Sequence, residues 1–322
     1  MKTNIAATLV IGLLLSACSS NQPDWVDKPA AQYPQQAYLS AVGEADNRNA
    51  ADGRALANLA KVFEVTISDL SLDFSEARVR VDESGRAVDN VQTASRYVTT
   101  EARQVLQGAQ LVESWQDDQG RSYALAVLEK APAKRRFREA VRDADRQIAD
   151  RVDYASQQAP NPVVALAALE QARKIANERS ILNRNLAVVS GKGIRAPYDR
   201  ASLEKLLRDA LATLHFRAEA DSIELQQNLE SAIGALGITL DKDAAYRLIA
   251  SLDSEPVQQQ QGWYWLRGST QLSLFYQGQT LATKRWPLKV SAVDEGMVEQ
   301  RAKDQLSEQM PTYLYELITS VE

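Results

Sequence analysis

The sequence predicts an α+β protein: an N-terminal α+β domain, a helical hairpin spacer, and a C-terminal α+β sandwich with an antiparallel sheet. Three observations carry this. Apolar spacing changes from a helical period to alternation near residue 62. Phe137, Val141, Ala144, Ile148, Val152 and Ala155 form a heptad-like seam in mid-chain. Two turn signals, Asp117-Asp118-Gln119-Gly120 and Tyr276-Gln277-Gly278-Gln279, each separate a pair of β-rich runs. The 322 residues, 45% hydrophobic and 25% charged, suffice for about two folded domains. A formal net charge of −5 argues against a nucleic-acid partner, because phosphates call for a clustered basic surface.

The N-terminus reads as an export signal over residues 1–17. Lys2 supplies the positive charge. The apolar run over residues 5–15 falls short of the roughly 20 residues that span a bilayer. It ends in Leu15-Ser16-Ala17-Cys18, which resembles the lipobox of bacterial lipoproteins. Cys18, the chain's one cysteine, is then the lipidation site, and several acyl chains anchor stably where one is marginal. The alternative is an ordinary secretory signal beside a chance thiol. Ser19 after Cys18, rather than Asp, resembles the sorting pattern that implies transport to the outer membrane, with the folded part on the periplasmic face.

Residues 18–36 carry Pro23, Pro29 and Pro34 among Gln, Asn and Ala and read as a lipidated tether. Trp25 is the exception, an aromatic expected to dock onto the first domain. That domain covers residues 37–131. A strand over 38–43 ends in Gly43; a helix over 47–61, capped by Asn47, presents Ala51, Ala55, Leu59 and Val62 on one face. Alternation over 62–72 predicts a strand, 82–89 a loop, and 97–106 a helix or a strand, with the β-branched content favouring the strand. Residues 111–115 and 123–128 form a hairpin.

Pro23 to Val26, then Tyr-Leu-Ser-Ala-Val-Gly over 38–43, the Ala-rich helix, and Trp115 through Leu128 with Gly120 and Tyr123 between resemble the LPP20 family of bacterial lipoproteins. The likeness covers roughly the first 130 residues, and its motifs mark strands and a turn. It implies an α+β fold and a lipid-anchored location. It also implies kinship with flagellum-associated lipoproteins and antigens that have no known enzyme activity.

The middle region, 132–214, reads as helical. After the seam, Pro160 and Pro162 break the chain. A second helix carries Leu166, Leu169, Ala172, Ala176, Leu182, Leu186 and Val189, so the two should pack as an antiparallel hairpin. Gly191 and Gly193 end it, and Asp199 or Ser202 caps a third helix with Leu203, Leu207 and Leu211. The last domain, 215–322, reads in the order βαβββα: strands over 216–220, 245–252, 262–275 and 279–293, helices over 223–236 and 294–318.

Candidate chemistry is sparse. His215 is the single histidine, expected partly buried at a helix-to-strand junction; one histidine and a lipidated cysteine leave little for a triad or a zinc site. Ser190-Gly191-Lys192-Gly193 lacks the glycine and Ser/Thr of a phosphate loop. Asp241 and Asp243 lack the rest of a calcium loop and suit a turn. Lys134, Arg135, Arg136 and Arg138 form the densest basic cluster. Acids follow at helical spacing, which favours a salt-bridged face over an anion site. Trp263 and Trp265 share one face of a strand, either packing under helices or displaying an aromatic patch to a partner or glycan. The sequence thus predicts an outer-membrane accessory lipoprotein: no enzyme, no cofactor or metal, and an adaptor role toward an envelope assembly, with self-association through the hairpin or sheet edges. The alternatives are a regulator that binds a peptidoglycan synthase and a carboxylate-dependent hydrolase.

Overall fold

The computed structural model describes residues 22–79 and 105–321, with side chains described for 22–63 and 105–321. The signal segment, Cys18, the loop expected over 82–89 and all but the last two residues of the strand expected over 97–106 lie outside the described residues; Val105 and Leu106 are not in a strand. The chain divides into two units, one of residues 1–62 with 102–130, the other of 63–101 with 131–322.

The first unit is built on strand β1 (Tyr38–Ala45), helix α2 (Arg48–Val79, shared with the second unit), and strands β2 (Ala109–Gln116) and β3 (Ser122–Glu129). The sheet order is β1-β3-β2, both pairings antiparallel. The Asp117 Oδ1 atom accepts from the backbone N–H groups of Gln119 (3.0 Å) and Arg121 (2.8 Å), and Gly120 takes the left-handed conformation that closes the β2–β3 loop. Ala50 N–H donates to the Asn47 side chain, so Asn47 caps α2 as expected. Small residues let helix and sheet approach closely. A Cβ on Gly43 would lie 2.2 Å from Ala55 N and 2.3 Å from Ala51 O, and Gly43 pairs with Ala124 in β3. Ala51, Ala55 and Leu59 are fully buried.

The helix does not give way to a strand at residue 62: α2 continues to Val79. Between Gly53 and Gly85 the sequence offers neither glycine nor proline to stop it. β-branched residues cost a helix only a few tenths of a kcal/mol each, roughly, so their alternation was a weak strand signal.

The region read as tether is also shorter than 18–36. Residues 24–27 form the helical turn α1 (Asp24–Asp27), followed by a 3₁₀ turn at Pro29–Ala31. Trp25, 5% exposed, packs with Leu125 and Val127 of β3, on the face opposite Ala124 and Ala126. Tyr33 meets Tyr38 edge to face, and the Lys130 ammonium donates to Gln35 O. The sheet of this unit is therefore covered on both faces, by α2 and by the segment holding Trp25.

The second unit contains α3 (Lys130–Gln157), α4 (Pro162–Ser190), α5 (Arg200–Ala212), α6 (Ile223–Ala235) and α7 (Glu295–Ile318). Its strands are β4 (His215–Ala220), β5 (Thr239–Leu240), β6 (Tyr246–Ser254), β7 (Gln258–Gln260), β8 (Trp263–Tyr276) and β9 (Gln279–Ala292). Phe137, Val141, Ala144, Ile148 and Val152 are buried, as the seam predicts. Asn161 caps α4 through Val163 and Val164, Asp199 caps α5 through Ser202, and Gly191 ends α4 in the left-handed conformation. Asp145 and Arg179 stand 17 residues either side of residue 162 and pair at 2.7 Å, the mark of an antiparallel α3–α4 hairpin.

The sheet order is β5-β4-β6-β8-β7, with β9 along the remaining side of β8. It is mixed: β4 runs parallel to β5 and β6, and the other pairings are antiparallel. The parallel pair follows from α6, which carries the chain back between β4 and β6 as a crossover must. The α+β class stands. However, helical region and sheet do not have separate cores at residue 214. One apolar cluster joins Ile148, Leu166 and Leu203 to Phe216, Leu248, Leu272 and Leu314.

Candidate functional site

Register assigns each β8 side chain to one of two faces. Leu266, Leu272 and Leu274 point toward the helices: Leu266 joins Leu288 and Val290 against Ala302 and Leu306 of α7. On the same face Trp286 stacks on Tyr313 with centroids 4.5 Å apart, and its indole N–H donates to Glu316. The alternate residues, Trp263, Trp265, Arg267, Ser269 and Gln271, stand on the opposite face. There they neighbour Gln258 and Gln260 of β7 and Arg285, Lys289 and Ser291 of β9.

Trp263 and Trp265 therefore share a face, as alternation predicts, but it is not the helix-packed one. Trp263 is 45% exposed. Trp265, half-buried, lies under two cations: the Arg267 guanidinium carbon is 5.7 Å and Lys289 Nζ 5.3 Å from its ring centre. The β7–β8 hairpin holds the outer edge in place. Gln261 and Gly262 both have positive φ (52° and 81°), the two-residue turn whose twist matches the flanking strands. It sets Gln258 opposite Trp265 and Gln260 opposite Trp263.

Elsewhere on this face the cations have carboxylate neighbours. Arg217 and Arg247 flank Glu219 at 3.1 and 3.6 Å, and Arg285 lies 3.9 Å from Asp253. Among the described residues no carboxylate pairs with Arg267 or Lys289.

The other candidates fall elsewhere. Arg135 and Arg136 are carried by α3; Arg135 is exposed, while the Arg136 guanidinium lies 4.9 Å over the Phe137 ring and burial pushes its pKa down. Arg146 pairs with Asp143 on the same helix. His215 is exposed rather than partly buried, because it opens β4 with its side chain 3.9 Å from Asp241 and away from Phe216. Asp241 caps its own turn through Asp243 N–H, 2.9 Å. Gly193 belongs to a fold-back after α4, where Asn183 Oδ1 accepts from Ile194 N–H (2.6 Å) and Arg179 donates to Ile194 O (3.0 Å).

A buried polar cluster escaped the sequence reading. Glu170, 3% exposed, accepts two bonds from Arg173 (2.8 and 2.6 Å) and one from the Tyr315 hydroxyl (2.7 Å). The carboxylate beside it raises the Arg173 pKa, and burial followed by the Glu170 charge pushes the Tyr315 phenol well up. The signal was available: Glu170 continues the spacing of Val163, Leu166 and Ala167 on an otherwise apolar turn. Among the described residues no group of three or more His, Cys, Asp or Glu side chains could hold a metal ion, and no helix is long and apolar enough to cross a membrane.

Fold and surface together define a two-unit α+β protein whose second unit displays one open sheet face, aromatic and cationic at its far end. Residues 23–129 match the family model of the LPP20 lipoproteins, which makes the first unit's segment similar to that family. Among solved structures, the secreted protein HP1454 of Helicobacter pylori is 13% identical, with a TM-score of 0.45 over 86% of this chain and 97% of its own. A minor lipoprotein of Acinetobacter baumannii is 13% identical (TM-score 0.27; 33% of this chain, 90% of its own). Rare lipoprotein B of Shewanella oneidensis is 14% identical (TM-score 0.23; 32% and 89%). No curated protein matches in sequence.

Proposed function

We propose that this chain is a non-enzymatic lipoprotein, fastened through lipid on Cys18 to the periplasmic face of the outer membrane, that holds its folded units against an envelope assembly. The observation that carries the reading is the burial of Trp25 in the first unit, seven residues beyond Cys18. At about 3.5 Å per residue, the intervening chain reaches at most roughly 25 Å however it is arranged. A lipid on Cys18 would therefore hold the first unit close to the bilayer surface. The LPP20 match over 23–129 supports the class. The polar side chains best equipped for chemistry, Glu170, Arg173 and Tyr315, are engaged in joining α4 to α7.

Metabolic labelling with a palmitate analogue tests the anchor. Wild-type protein is expected to carry label and to sediment with membranes, and the Cys18→Ser variant to lose both. A Cys18→Ser protein that still sediments overturns the reading. In-cell crosslinking of the anchored protein tests the adaptor role: it is expected to yield the same envelope proteins repeatedly, and recovery of the chain without crosslinked partners refutes it.

A further inference from the structure

We infer that the open face at the far end of β8 binds an acidic glycan, with Trp263 as the stacking platform, Arg267 and Lys289 as carboxylate ligands, and Gln258 and Gln260 as hydrogen-bonding groups. The inference goes beyond the anchored-adaptor reading and does not depend on it.

Charge is the first argument. Along this face the other arginines have carboxylate neighbours: Arg217 and Arg247 share Glu219, and Arg285 lies 3.9 Å from Asp253. Arg267 and Lys289 are instead held over the Trp265 ring. A cation–π contact orients a cation but leaves its charge in place, whereas a carboxylate partner would cancel it. Among the described residues, these two adjacent positive charges have no ion-pair partner, at one end of a sheet face in a chain whose formal net charge is −5. That placement complements a ligand bearing carboxylates.

The second argument is the ring beside them. Trp263 is 45% exposed and lies two residues from Trp265 on the same face, about 7 Å along the strand. Apolar packing accounts for Trp286 on the other face, which has Tyr313 against it, but not for Trp263. A flat exposed indole offers apolar area with little side-chain entropy to lose, which suits the apolar face of a sugar ring. Gln258 and Gln260 bring amides that both donate and accept, as hydroxyl and acetamido groups require. The Gln261-Gly262 turn fixes their register against the two tryptophans. A partner recognised by charge alone would not need the indole, and a neutral glycan would not need the cations.

Full-length protein in detergent, titrated with amidase-released peptidoglycan strands, whose lactyl carboxylates are free, tests this. Chitohexaose serves as the uncharged sugar control and poly-L-glutamate as the sugar-free acidic control. Binding to the strands is expected, at least tenfold tighter than to either control. Trp263→Ala and the pair Arg267→Gln, Lys289→Gln should each weaken it at least tenfold, and the double variant should also flatten its salt dependence. Trp263→Leu keeps apolar bulk without the ring and should behave like Trp263→Ala. Thermal melts unchanged from wild type show that these exposed positions do not carry the fold. Cys18→Ser should bind the strands as wild type does, which separates this site from the anchor. Poly-L-glutamate or chitohexaose binding as tightly as the strands, no binding to the strands, or variants that bind like wild type would each overturn the assignment.

Discussion

Trp25→Ala should release the first folded segment and convert a short leash into a long one. The side chain is 5% exposed, and a tryptophan buries about 150–250 Å² on packing, worth roughly 4–6 kcal/mol at about 25 cal/mol per Å². Residual burial in the undocked segment lowers that to about 3–5 kcal/mol, the range measured for large aromatic-to-alanine changes. What else holds residues 22–36 is modest: the α1 turn of four residues without a side-chain cap, the Tyr33–Tyr38 contact, the Gln32–Glu113 bond and the Lys130–Gln35 bond. The variant should therefore undock this segment while β1, β2 and β3 keep their pairing. Limited cleavage of the Val26–Asp27 bond by endoproteinase Asp-N reads the open fraction directly when opening is fast relative to cutting. The rate should rise by about two to four orders of magnitude, with β3 amides retaining their hydrogen-exchange protection. Trp25→Phe, which keeps most of the apolar area, should fall between. An unchanged cleavage rate before Asp27 in Trp25→Ala would refute the claim that the indole is what docks the segment.

Gly43→Ala should cost more than about 3 kcal/mol, because its Cβ would meet backbone atoms of α2 that cannot move independently; hydrogen exchange in β1 and β3 reports it. Removing one partner of the buried Arg179–Asp145 pair, for example Arg179→Met, should destabilise the second unit by about 3–5 kcal/mol. The double variant Arg179→Met, Asp145→Leu should recover much of that in denaturant melts. Burial pushes the Tyr246 phenol up to about 12, above its unfolded value of 10.0. A raised folded value gives stability that is whole below pH 10 and drains between pH 10 and about 12. Alkaline melts of wild type against Tyr246→Phe should isolate that loss, and Tyr246→Phe should be near wild type at neutral pH, since its hydroxyl lacks an acceptor among the described residues.

Local signals were the legible ones. Both hairpins were visible because their turns demand particular residues: Asp117 accepts two backbone N–H groups, and Gln277 and Gly278 both take positive φ. Trp25 could be read as docked because a lone aromatic in a polar stretch needs somewhere to go. The continuation of α2 was missed because a few β-branched residues imitate alternation, while the absence of a stop signal was the better guide. β5 and β7, of two and three residues, are too short to leave a pattern, and the parallel β4–β6 pair depends on α6 rather than on either strand. At the candidate surface, alternation put Trp263 and Trp265 on one side but could not say which side the helices take. Arg267 and Lys289 reach the ring from different strands, a proximity that only the β8–β9 register creates.

The strand order of the first unit constrains how it can form. β3 lies between β1 and β2 yet comes last in the chain, so β1 has no neighbour to pair with until residues 122–129 are available. Closing that long loop costs entropy, though each doubling of its length adds only about 0.6 kcal/mol. The β2–β3 hairpin, local and turn-directed, can nucleate first and offer β3 as the template for β1. Until then β1 is an unsatisfied ribbon, and interruption of synthesis before residue 122 would leave a fragment prone to join its own kind edge to edge.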